Sequence, residues 1–197
     1  MHSPGLWAEQ LRDAMCGCVI GNEIHVLLTT TSTNDAIVER ISAEAPQGLT
    51  IFAEMQTAGR GQRGRPWESA PGKGLWFSVL LRPQIALAES ALLTAWAAAA
   101  VCDTLLPLGI HAIVKSPNDV VVGTQKIAGV LVEMRAQPSA SHVAVLGIGL
   151  NVNQSQEDFS TAIRERATSI ACVLGREVER TALAIALLRR LNDSYTW

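Results

Sequence analysis

Four aliphatic and β-branched runs, at residues 110–115, 120–122, 129–134 and 143–148, follow one another with no segment between them long enough for a helix. Neighbours this close in sequence favour antiparallel pairing, because parallel partners need a long crossover. Gly123-Thr124 reads as the turn that joins the second and third runs into a hairpin. Three more strand-like runs, 24–29, 49–54 and 75–81, lie upstream. Helical spacing is seen at 6–15 and 181–191, and after Ser32, where Ile37, Val38 and Ile41 form an inner face. A longer helix is predicted over 88–106, its alanine-rich side suited to close packing on a sheet. The pattern predicts an α+β fold, a mixed and mainly antiparallel sheet backed by helices.

With 197 residues, of which 48% are hydrophobic and 17% charged, the chain can build one well-packed domain. No linker or repeat marks a second one. The formal net charge of -2 excludes a broad basic field for nucleic acid. Cys16, Cys18, Cys102 and Cys172 have neither CxxC spacing nor a nearby histidine cluster, so a disulfide framework or structural zinc is not expected and a reducing cytoplasm is. The first twenty residues lack a basic start followed by an apolar block, and the longest apolar run, near 91–101, is too short to span a bilayer. His2, His25, His111 and His142 are scattered and show no triad or metal spacing.

Chemistry concentrates in a few stretches. Gly59-Arg60-Gly61-Gln62-Arg63-Gly64-Arg65 follows a strand-like run and sets three arginines among three glycines. Glycine lets backbone approach a ligand, and arginine supplies a fixed fork of donors for phosphate or carboxylate. Trp67 just beyond can anchor a lid. The plain alternative is a solvated loop or an RG-type RNA contact. Ser32-Thr33-Asn34 is either a helix cap or a compact set of donors and acceptors for a polar ligand head. Lys115-Ser116-Pro117-Asn118-Asp119 is a turn, or a polar wall at a sheet edge. Lys126 is a surface charge at a strand start, or a cation aimed at developing negative charge. The run Gly147-Ile148-Gly149-Leu150-Asn151-Val152-Asn153 lacks Walker or Rossmann spacing.

In this order the stretches resemble biotin–protein ligases: Thr31-Ser32-Thr33-Asn34, Glu54 to Gly61, Lys115-x-Pro117-Asn118-Asp119, Lys126 to Glu133, and Gly147 to Asn153. The resemblance runs from about residue 24 to 190. It implies a catalytic domain related to class II aminoacyl-tRNA synthetases, with helices on one face of a mixed sheet. It also implies two reactions, formation of biotinyl-5′-AMP from biotin and Mg-ATP, then transfer to a lysine of a biotin carboxyl carrier protein. Carried over by residue, Ser32, Thr33, Asn34 and Gln56 would bind the ureido head. Arg60, Gly61 and Gln62 would lie along biotin, with Arg60 and Lys126 as the catalytic cations on carboxylate and phosphate. Arg63, Trp67, Asn118, Asp119 and Asn151 would serve the nucleotide side, the Asn118-Asp119 pair through Mg²⁺; no metal ligand set is assigned.

The resemblance has departures. Ser116 replaces a common tryptophan, and Gln62 a common arginine, which removes a charge from over the intermediate. Residues 1–197 are expected to form a single catalytic domain, with the family's N-terminal DNA-binding segment and C-terminal β-domain absent. No DNA or membrane partner is expected, and a homodimer is left open. A lipoate or octanoate ligase, or a biotin-binding protein without transferase activity, are the rival readings.

Overall fold

The computed structural model describes residues 5–41, 45–137 and 140–197; His2 lies outside them. The chain runs α1 (Ala8–Ala14), β1 (Ile24–Thr30), α2 (Thr33–Val38), β2 (Thr50–Gln56), β3 (Gly74–Leu81) and α3 (Ser90–Leu105). It continues through β4 (Ile113–Lys115), β5 (Asp119–Val122), β6 (Gln125–Gln137), β7 (Ala140–Asn151), α4 (Ile170–Leu174) and α5 (Arg180–Ser194). One seven-stranded sheet has the order β1-β2-β3-β7-β6-β5-β4. Only β1 and β2 pair in parallel among the named strands, and α2 supplies their crossover. The expected α+β architecture is present.

Alternation along β3 sorts the two faces. Leu75, Phe77, Val79 and Leu81 point into the main core, where they meet Leu93, Ala97 and Val101 of α3 and Leu187 and Leu191 of α5. The Phe52 and Phe77 rings stack there at 4.8 Å. Each such fully buried side chain contributes roughly 1.5–3 kcal/mol. Trp76, Ser78 and Leu80 point to the opposite face. Leu80 joins Ile51, Val145 and the α2 residues Ala36 and Ile37 in a second, smaller core. Helices therefore lie on both faces, not on one. The single short helix α2 covers only part of the second face, and the remainder is open for a site.

The helix turns Leu87–Glu89 and Leu106–Leu108 extend α3, and the span Leu87–Leu108 is long and apolar enough to cross a membrane, with mean hydropathy 1.6. Its buried Leu93, Ala97, Ala98, Val101 and Leu105 are those of a helix packed against β6 and α5. The Gly123-Thr124 turn forms as expected, with Gly123 at φ 59°. Residues 110–112 do not join β4, whose three residues are exposed at the sheet edge.

Candidate functional site

The open part of the second face has a glycine floor. Trp76 of β3, Gly149 of β7, Gly129 of β6 and Asp119 of β5 stand in one row across four strands, with Ser78, Gly147 and Leu131 in the next row. Without side chains at 129, 147 and 149, the face becomes a slot that runs between α2 and the loop that follows β2. Sequence spacing alone left these glycines without a role. Their signal was alternation: glycine at every second position of an otherwise apolar strand clears one face of the sheet.

One wall is the start of α2. Ser32, Thr33 and Asn34 are almost fully buried. Ser78 Oγ lies 2.7 Å from Thr33 Oγ1 and 2.5 Å from Asn34 Oδ1. The Thr33 backbone N–H donates to Gln56 Oε1 at 2.8 Å, while Gln56 Nε2 donates to Ser69 Oγ at 3.1 Å. Asn34 Nδ2 donates to Glu133 Oε2 at 2.7 Å. The amides are thus held in fixed orientations by neighbours, which is the preorganisation a polar ligand head needs. Ser78 lies in none of the motifs, and Glu133 closes the Lys126–Glu133 stretch without a role assigned to it. A serine at the centre of the apolar run 75–81 was the available signal for the first.

The other wall is the arginine-glycine loop, folded back on itself. Gly61 N–H donates to Arg65 O at 2.7 Å and Trp67 N–H to Gly59 O at 2.8 Å. Arg63 sits in the left-handed region at φ 58°, uncommon for a residue other than glycine. Arg60 and Gly61 line the slot; Gln62, half-buried, and Arg63, exposed, line neither it nor the cavity beside it. Arg60 forms a bidentate pair with Asp35, at 2.5 and 2.7 Å, and its Nη2 lies 3.6 Å from Glu133. The guanidinium holds the Asp35 carboxyl below its usual range against a smaller opposing effect of burial.

Trp67 lies on the floor. A Cβ built on Gly149 would come 2.5 Å from its ring, and one on Gly129 2.8 Å. Its indole N–H is buried and has no hydrogen-bond partner among the described residues. Lys126 Nζ sits 5.1 Å from the Trp67 ring centroid and 2.6 Å from Asp119 Oδ1. With the indole in place the slot keeps only about 30 Å³ of free volume.

Past Lys126 and Trp67 the slot adjoins a second cavity of about 640 Å³. Arg65, Lys115, Lys126 and Arg166 bring positive charge to its walls; Asp119 and Glu68 bring negative charge. Asn118 lines the slot and donates to Val130 O at 3.0 Å, while Asp119 and Asn151 line the cavity. Both polar ends of the Asn151 amide are engaged internally: Nδ2 donates to Thr168 O at 2.9 Å, and Oδ1 accepts from Gln154 at 3.1 Å. Thr168 N–H in turn donates to Lys126 O, and Lys126 N–H to Arg166 O. Asn151 therefore braces the strand start that carries Lys126. Among the described residues no group of three or more His, Cys, Asp or Glu side chains could hold a metal ion.

The model of the biotin/lipoate A/B protein ligase family matches residues 26–151 of the 197. That stretch contains both walls, the floor, Lys126 and Asn151. The chain belongs to this family. It is 35% identical to the bifunctional ligase/repressor BirA of Bacillus spizizenii, over 99% of this chain and 61% of that protein. It is 34% identical to the biotin–[acetyl-CoA-carboxylase] ligase of Mycobacterium tuberculosis, over 96% of this chain and 70% of that one. The biotin protein ligase of Aquifex aeolicus, solved in complex with biotin and ATP, superposes with a TM-score of 0.75 at 30% identity, over 87% of this chain and 69% of the other. This family member thus spans under two thirds of its Bacillus relative.

Proposed function

We propose that this ligase-family protein activates biotin with ATP to biotinyl-5′-AMP and pyrophosphate, then passes the biotinyl group to a lysine of a biotin carboxyl carrier protein. One observation carries the reading: Arg60 and Lys126, far apart in sequence, line a single slot whose other wall is the Thr33–Asn34–Gln56 network. A ureido ring offers one carbonyl and two N–H groups, and that network offers short donors and acceptors in fixed orientation. A dithiolane or an alkyl chain offers neither donor nor acceptor to the hydrogen-bonding capacity that this network has left. This favours biotin over lipoate or octanoate.

In the first step the biotin carboxylate attacks the α-phosphorus, and the bond to the pyrophosphate leaving group breaks. In the second, the acceptor lysine attacks the mixed anhydride and AMP leaves. Negative charge shifts among carboxylate and phosphate oxygens throughout, and fixed cations are the matching catalysts. Lys126 stands where slot and cavity meet, so its ammonium would serve both steps, exchanging Asp119 for ligand oxygens. Arg60 offers five N–H groups, two of which are given to Asp35, leaving others for the ligand. The cavity beside Lys126 has the volume and charge for a nucleotide, with Trp67 at the shared boundary. Magnesium is commonly held by one or two carboxylates together with substrate phosphates, and Asp119 fits that role here. The ion would neutralise phosphate charge when bound. The four cysteines are free thiols, which suits action in a reducing cytoplasm.

Biotin-dependent exchange of pyrophosphate into ATP, followed by transfer to a carrier domain, tests the proposal. Exchange driven by lipoate but not by biotin would reject it, as would tight binding of biotin without any exchange.

A further inference from the structure

Proton counting fixes the polarity of the wall at the start of α2. Glu133 is a carboxylate that only accepts hydrogen bonds, with Arg60 and Arg135 at 3.6 and 4.0 Å beside it. The Asn34 amide must therefore turn Nδ2 to Glu133, at 2.7 Å, and Oδ1 to Ser78 Oγ, at 2.5 Å. Oδ1 also only accepts, so the single proton of the Ser78 hydroxyl goes to Asn34. Ser78 Oγ then meets Thr33 Oγ1, at 2.7 Å, with a lone pair. Thr33 Oγ1 also lies 3.2 Å from Gln56 Oε1, an atom whose orientation is set by the Thr33 backbone N–H donating to it at 2.8 Å. Both of these neighbours accept, so the Thr33 hydroxyl gives its proton to one of them. What Thr33 keeps for the slot is a lone pair. Thr33 and Asn34 line the slot, whereas the fully buried Ser78 and Glu133 stand behind them and do not.

We propose that Glu133 and Ser78 are specificity-determining positioning residues: a relay from the Glu133 carboxylate through Asn34 and Ser78 holds the Thr33 hydroxyl as an acceptor, so the slot takes a ring N–H there and rejects a ring oxygen. A fixed, buried acceptor discriminates strongly, because the wrong ligand sets lone pair against lone pair and leaves both unpaired. The identity of the ring rests on the biotin reading of the slot, but the relay belongs to the protein without ligand. Glutamine at position 133 can donate as well as accept. The Asn34 amide is then free to turn over, and the chain of protons can run the other way.

Calorimetric titration compares biotin with its two carbamate isosteres, in which one or the other ureido N–H is replaced by oxygen. In the unaltered protein one isostere should bind roughly a hundredfold weaker than biotin, or worse. In Glu133→Gln that ratio should fall to about a tenth of its value, and in Ser78→Ala by less, since Gln56 still takes the Thr33 proton. Loss of the Glu133 contacts with Arg60 and Arg135, or a general loosening, would weaken both ligands alike and leave the ratio unmoved. An unmoved ratio in both variants overturns the relay. A second readout needs no ligand. In NMR spectra of the free protein the Asn34 side-chain amide should keep one proton protected from solvent exchange, and lose that protection in Glu133→Gln. An Asn34 amide that exchanges as fast as a surface one overturns the relay, whatever the slot binds. Protection of Asn34 together with failure to bind biotin would reject the ligase reading and leave the relay standing.

Discussion

The indole of Trp67 rests so closely on Gly149 that a methyl group there would meet the ring at 2.5 Å. Real Cβ contacts do not come that near, so Gly149→Ala must push Trp67 off the floor while β7 stays paired on both sides. Overpacking of this kind costs typically 1–3 kcal/mol. Here the added methyl stands on the slot floor itself, where Gly149 lines the slot, and biotin affinity is expected to drop roughly 5- to 150-fold. Calorimetric titration with biotin checks this, with circular dichroism to confirm the fold. An unchanged Kd would mean that Trp67 has no part in shaping the slot.

Lys126 carries the charge at the junction of slot and cavity. Its ammonium already pairs with Asp119 at 2.6 Å and faces the Trp67 ring, so it is ordered before any ligand arrives. Loss of one preorganised charge-stabilising group costs roughly 3 kcal/mol in a transition state. Lys126→Ala should therefore lower the adenylation rate by two decades or more, measured as biotin-dependent pyrophosphate release. Near-normal release would remove Lys126 from the catalytic machinery.

Much of the architecture could be read from the chain, because β-branched runs and a tight turn act locally. The hairpin at Gly123 and the strands at 24–30 and 74–81 follow from such signals. The sheet order does not, since β3 pairs with β7 across some seventy intervening residues and only tertiary contact fixes that. The site divides the same way. Thr33, Asn34, Arg60 and Lys126 were legible as unusual polar groups at element ends, and Gln56 only through the family resemblance. Asp35, Ser78 and Glu133 were not, because each acts through a partner distant in sequence. Asn151 was named only through the family resemblance, on the nucleotide side, and the use of its amide as a brace was not legible.

Tyr195 is the chain's one tyrosine, which makes its titration unambiguous. Burial against the core pushes its pKa up to about 12 from the usual 10, and its hydroxyl has no hydrogen-bond partner among the described residues. The neutral form is the one the folded state favours. The contribution of Tyr195 to stability is thus complete below pH 10 and declines as the pH rises from there towards 12, because the unfolded chain ionises first. Tyrosinate absorbance should appear near pH 12 in the native protein and near 10 after denaturation. A native midpoint near 10 would show that the ring is solvated.

Gln62 sits half-buried in the loop at the position where the family resemblance implies arginine, with Arg60 two positions before it paired with Asp35. The neutral amide cannot attract the phosphate of an acyl-adenylate as a guanidinium can. One fewer cation over a bound monoanion raises its escape rate, since changes in affinity among close variants fall mostly on dissociation. Gln62→Arg is expected to slow release of biotinyl-5′-AMP by several-fold, to about tenfold. The measurement is twofold: free adenylate after a single turnover, and biotin attached to a bystander protein that shares no surface with the carrier domain. Both should fall in Gln62→Arg while transfer to the carrier lysine holds or rises. Equal leakage from the two proteins would show that a charge at position 62 has no part in retaining the intermediate.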